Sequence, residues 1–89
     1  MRTLSVHRVL SDVGRRLREL RIERGLTQEQ LAEHLDVRPR WIQSVEGGKE
    51  NLGVETLVRF ANGLKTPIAE FFTPPTGPKP KPGRPRRSA

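Results

Sequence analysis

Between Gly25 and Lys49, helix starters, breakers and apolar residues are spaced so closely that only two short helices around a tight turn fit them. Thr27 offers an oxygen to the first free amides of a helix, and Gln30 stands three residues on, where the partner of a capping box belongs. A helix therefore starts at Gln28. Leu31 and Leu35 share its inward face, and Ala32 lets another helix come close. Asp36 then fills the turn, being one of the few non-glycine residue types that tolerate a left-handed backbone. Val37 follows as an apolar plug. Arg38 precedes Pro39, which drives it into the extended region of an N-cap, and Pro39 suits the first helical position. The next helix runs from about Pro39 to Glu46, with Ile42 and Val45 inward.

Thr27, Gln28, Leu31, Ala32, Val37, Ile42, Glu46, Gly48 and Lys49 recur at the spacing of a known signature. Over about Val13 to Phe72 the chain resembles the phage-repressor, Cro-like helix-turn-helix family. Three positions depart from that pattern: Asp36 replaces the turn glycine, Arg38 the usual Ser or Thr cap, and Leu52-Gly53 the Ser or Pro-Ser pair before the fourth helix. Asp and Gly are tolerable substitutes. The missing oxygen at position 38 costs about 0.5 to 2 kcal/mol, partly offset by Pro39.

The remaining chain extends this pattern. Val6, Val9, Leu10, Val13, Leu17 and Leu20 recur at helical spacing, so the first helix is open to an early start; it ends at Gly25. Val54, Leu57, Phe60, Ala61 and Leu64 line a fourth helix, and Thr66-Pro67 read as cap and first turn of a short fifth ending at Phe71-Phe72. The expected fold is an all-α, compact five-helix, lambda-repressor-like DNA-binding domain with a disordered basic, proline-rich tail. Its divisions are 1–10 (an arm or helix extension), 11–73 (the domain, motif 27–46) and 74–89 (the tail).

Charge locates the binding surfaces. Of seventeen basic and ten acidic side chains, twelve and ten lie up to Thr76, so that portion carries only +2; Lys79, Lys81, Arg84, Arg86 and Arg87 give the tail +5. DNA binding by the domain must then rest on placement, while the tail is cationic outright. Cysteine is absent, which removes disulfides and thiolate metal sites. No apolar run reaches the roughly 18 residues that span a bilayer, and charges interrupt the N-terminus, so a cytoplasmic, nucleoid-associated protein without a membrane partner is expected. His7 and His34 are isolated from any second ligand; neither metal nor cofactor is expected.

With Ile42 and Val45 inward, Arg40, Gln43 and Ser44 fall on the opposite side of their helix, with Pro39 at the tip. The resemblance implies that these four positions read bases, Arg40 most naturally on guanine and Gln43 on adenine or a phosphate. It implies further that Gln28 contacts phosphate, and Arg38, Lys49 and Asn51 are candidate backbone clamps. Arg21 and Glu46 match the family's structural ion pair. Trp41 stands between the reading face and the Val45 row, open either to partial burial or to contact with DNA.

In the tail, Pro82-Gly83-Arg84-Pro85-Arg86-Arg87 resembles the AT-hook, which implies minor-groove entry by Arg84 and Arg86 with Arg87 beside them, although Pro82 stands where an Arg is usual. No effector domain is recognisable, and no nucleophile–base pair or convergent carboxylates suggest an enzyme. The expected function is a sequence-specific regulator, a repressor or an autoregulator of the restriction-modification-controller kind. It would bind an inverted-repeat operator as a homodimer, with Phe71 and Phe72 as candidate dimer contacts. The rival is an antitoxin or protein-interaction module that uses Phe71, Phe72 or the tail to bind a toxin or regulator.

Overall fold

A serine oxygen decides where the chain first becomes helical. The Arg8 amide donates to Ser5 Oγ at 3.3 Å, and α1 runs from Val6 to Glu23 in the computed structural model, which describes residues 3–77. The early start follows, well ahead of Val13. Arg24 closes the helix and Gly25, at φ 72°, turns the chain out.

The next elements form as their sequence dictates. Around α2 (Gln28–Leu35), Thr27 Oγ1 accepts from the Gln30 amide at 3.0 Å and Gln30 Oε1 from the Thr27 amide at 2.8 Å. Asp36 is left-handed, with φ 57° and ψ 49°. α3 (Pro39–Glu46) follows with Arg38 extended as its N-cap and no side-chain oxygen on the first amides. α4 (Val54–Leu64) starts after Gly53 and stops at Lys65, also left-handed at φ 53°.

The expected fifth α-helix is instead a 3-10 segment, Ile68–Phe72, with Pro67 at its N-cap, so the described residues hold four α-helices. Thr66 precedes that N-cap and its hydroxyl makes other contacts. That buried group donates to the Leu64 carbonyl at 2.9 Å and accepts from Arg24 Nη2 at 3.0 Å. The segment is pinned to α1 by Arg16, whose Nε donates to the Glu70 carbonyl at 3.0 Å while Nη2 meets the Glu70 carboxylate at 2.8 Å.

One core joins all five elements: Val13, Leu17 and Leu20 from α1, Leu31, Ala32 and Leu35 from α2, Ile42 and Val45 from α3, Phe60 and Leu64 from α4, and Phe71. Phe71 is fully buried, which corrects its expected role as a dimer contact; Phe72, 57% exposed, keeps that possibility. Burial of each phenylalanine contributes about 1.5 to 3 kcal/mol. Of the stretch 74–89 expected as a tail, Thr76 and Gly77 contact α1. Residues 74–77 lie along α1, where Glu19 Oε2 accepts from the amides of Thr76 (2.8 Å) and Gly77 (2.7 Å) and Arg15 Nη2 donates to the Gly77 carbonyl at 3.0 Å.

Candidate nucleic-acid interface

The exposed side of α3 is held by what lies beneath it. Ile42 and Val45 are buried, whereas Pro39, Arg40 and Gln43 are exposed and Ser44 is half-buried. Among the described residues Arg40 forms no ion pair. Trp41 is half-buried and stacks on Phe60 of α4, ring centroids 5.7 Å apart at 29°, so the indole braces α3 instead of standing on its reading face.

The far end of α3 is fixed by backbone contact and by charge. A Cβ built on Gly14 of α1 would lie 2.4 Å from the Val45 carbonyl oxygen and 2.7 Å from that of Glu46, so only glycine lets the two helices meet there. Gly48, at φ 75°, also comes close to α1: a Cβ there would stand 2.7 Å from Ser11 Cα. Beside this contact the Arg21–Glu46 pair is buried and bidentate, at 2.6 and 3.1 Å, and Arg21 Nη1 also donates to the Leu26 carbonyl at 2.8 Å. Removing one partner would leave an uncompensated buried charge.

Gln28, expected on a phosphate, is half-buried and donates through Nε2 to Glu46 Oε1 at 3.0 Å. That contact uses one of its two amide N–H donors and leaves the second available. Arg38, Lys49 and Asn51 are exposed around the same face. His34 places Nδ1 2.7 Å from the Gln30 carbonyl, a local backbone contact. Arg84, Arg86 and Arg87 lie outside the described residues. Sequence reasoning missed Gly14, the Trp41–Phe60 stack and Arg59, which donates to the Leu35 carbonyl at the end of α2.

Residues 12–71 match the model of a helix-turn-helix domain, a span that takes in the elements just described except the first six residues of α1 and the last of the 3-10 segment. The chain belongs to the helix-turn-helix domain family. This helix-turn-helix domain is 35% identical over 71 residues to an uncharacterised transcriptional regulator in the ATPase CF(0) region of Rhodospirillum rubrum, covering 80% of the chain and 66% of that protein. It is 33% identical over 61 residues to the control protein C.MunI of a Mycoplasma species, covering 67% of the chain and 82% of that protein. Among solved structures it is similar to the restriction-modification controller protein C.AhdI of Aeromonas hydrophila, with a TM-score of 0.68 and 35% identity over 71% of this chain and 96% of that one. The chain spans only part of the regulators' own length, 66% of the R. rubrum protein and 54% of one from Rickettsia conorii. Among the described residues, no helix is long and apolar enough to cross a membrane.

Proposed function

We propose that this chain is a DNA-binding transcriptional regulator that reads the major groove with α3. The observation that carries the reading is Arg40 and Gln43, exposed on a helix whose pose is fixed from behind by Gly14, Trp41 and the Arg21–Glu46 pair. Arg40 reaches O6 and N7 of a guanine, Gln43 reads adenine or a phosphate, and Pro39 and Ser44 shape the approach. Gln28, oriented by Glu46, gives its second amide N–H to a phosphate, and Arg38, Lys49 and Asn51 hold the backbone on either side. The relatives' names as regulators and controllers agree with this. A partner-protein role for the same face is disfavoured, because α3 presents an arginine and two polar side chains and Phe71 is in the core.

Two copies bind an inverted repeat, with recognition helices spaced by about one turn, roughly 34 Å. Phe72, with Val54 and Val58 exposed on α4, supplies apolar surface for pairing. The segment Pro82 to Arg87 adds minor-groove contact on A·T-rich flanks through Arg84, Arg86 and Arg87. Selection of bound fragments from random duplex DNA tests the reading. Enrichment of a repeated, guanine-containing half-site is expected; a pool that stays random after several rounds would overturn it.

A further inference from the structure

Between Gly14 and the C-cap of α1 the chain holds five arginines, and four of them bond within the protein. Arg15 donates to the Gly77 carbonyl, Arg16 to Glu70, Arg21 to Glu46 and Arg24 to the Leu64 carbonyl. Arg18 is the fifth. It is exposed and forms no ion pair among the described residues. Its surroundings are set by Glu46, the last residue of α3. The Glu46 carbonyl oxygen closes on Gly14 while its carboxylate accepts from Arg21 Nε at 2.6 Å, so this one residue lies along two turns of α1. Residues three and four apart share a helix face, which puts Arg18 one turn from Gly14 and one turn from Arg21. At about 100° per residue, Leu17 leaves that line toward the core and Arg18 leaves it toward solvent. Arg18 therefore stands on the open side of the Glu46 side chain.

Glu46 is also where Gln28 is tied, Nε2 donating to Oε1 at 3.0 Å, and the tie sets an electrostatic condition on the phosphate contact proposed above. A phosphate oxygen that takes the second N–H of the same nitrogen would stand about 5 Å from the Glu46 carboxylate oxygen. Arg21 balances that carboxylate but is buried in the pair with it, so the pair presents an arriving anion with no net positive charge. A phosphate held there calls for another cation, and Arg18 is placed to supply it. We infer that Arg18 is a further DNA-backbone contact, closing together with Gln28 on one and the same phosphate. This rests on the DNA reading above and extends it to a side chain of α1. The ligand is a phosphodiester, one negative charge met by a guanidinium and an amide, and the contact carries no base information.

Methylphosphonate substitution, which removes the charge of one linkage at a time, tests the shared contact with the full chain on a selected duplex. In each half-site one linkage is expected at which the neutral group weakens binding about fivefold or more and at which both Arg18→Ala and Gln28→Ala blunt that response. On the unmodified duplex Arg18→Ala should lose a similar factor and lower the salt slope by about one, as for one phosphate contact. Random duplexes should lose as much as the selected one. Arg18→Lys keeps the charge and should recover most of the affinity and the slope. Thermal melts matching the parent chain are expected for changes at an exposed side chain; should Arg18→Ala melt early, Arg18→Gln takes its place. Unchanged affinity and slope in a folded Arg18 variant, or blunted responses at different linkages for Arg18→Ala and Gln28→Ala, would overturn the shared contact while leaving the reading by α3 intact. A parent chain that selects no duplex would instead overturn the DNA reading and this contact with it.

Discussion

Arg40 and Gln28 sit on neighbouring helices, yet their surroundings give them different work. Arg40 is exposed and forms no ion pair with another described residue, which suits the base contact proposed for it. Arg40→Ala and Gln43→Ala should each weaken binding to a selected duplex by about 1 to 3 kcal/mol and leave random duplexes nearly unaffected. Gln28→Ala and Lys49→Ala should weaken both duplexes alike, since phosphate contacts carry no sequence information. Parallel titrations on the two duplexes check this, and an equal loss on both for Arg40→Ala would contradict it. These side chains were legible because a one-in-three apolar spacing and a capping box fix which side of a short helix faces out. The tether of Gln28 to Glu46 was not, because a resemblance supplies a role for a position and not the hydrogen bond that holds it there.

Among the elements, the helix-turn-helix was readable to the residue: Thr27, Asp36, Arg38 and Pro39 all do locally what their chemistry favours. The C-terminal part was misread where tertiary contacts overrule local preference. Thr66 looks like a cap until Arg24 and Leu64 claim its hydroxyl, and Pro74 looks like the end of structure until Glu19 gathers two amides 57 and 58 residues away. No local pattern announces such a contact. It does carry a pH signature. Burial opposes ionisation of Glu19, but the Gly77 and Thr76 amides and Arg16 outweigh it and hold the carboxyl below the usual range. A depressed folded-state value means that the contact stabilises above the ordinary Glu range, about pH 4.3, and fades as pH falls through the lower folded value. Amide exchange at Thr76 and Gly77 should therefore accelerate at acid pH, relative to buried amides of α2, more than it does in Glu19→Gln. Gly14→Ala belongs to this scale too. Its methyl would meet two carbonyl oxygens of α3, and a loss of about 1 to 3 kcal/mol in denaturant unfolding is expected.

For the whole molecule, charge is divided between a near-neutral domain and a cationic segment, and the two should separate experimentally. Ending the chain at Gly77 removes five cations and should flatten the slope of log affinity against log salt by up to roughly four, leaving thermal stability and the preferred core sequence unchanged. If Arg84 and Arg86 enter the minor groove, the lost affinity is larger on A·T-rich than on G·C-rich flanks; equal loss would reduce the segment to an unspecific cationic arm. Sedimentation at micromolar concentration should give a dimer that Phe72→Glu dissociates, while a monomer in the parent chain would refute pairing through that residue. The contact at Gly14 has a wider consequence. Because α1 meets α3 through the carbonyl oxygens of Val45 and Glu46, that contact involves none of the exposed side chains at 40 and 43. If α3 reads bases as proposed, exchanging the exposed side chains at 40 and 43 should redirect the protein to a new sequence while that backbone contact is kept.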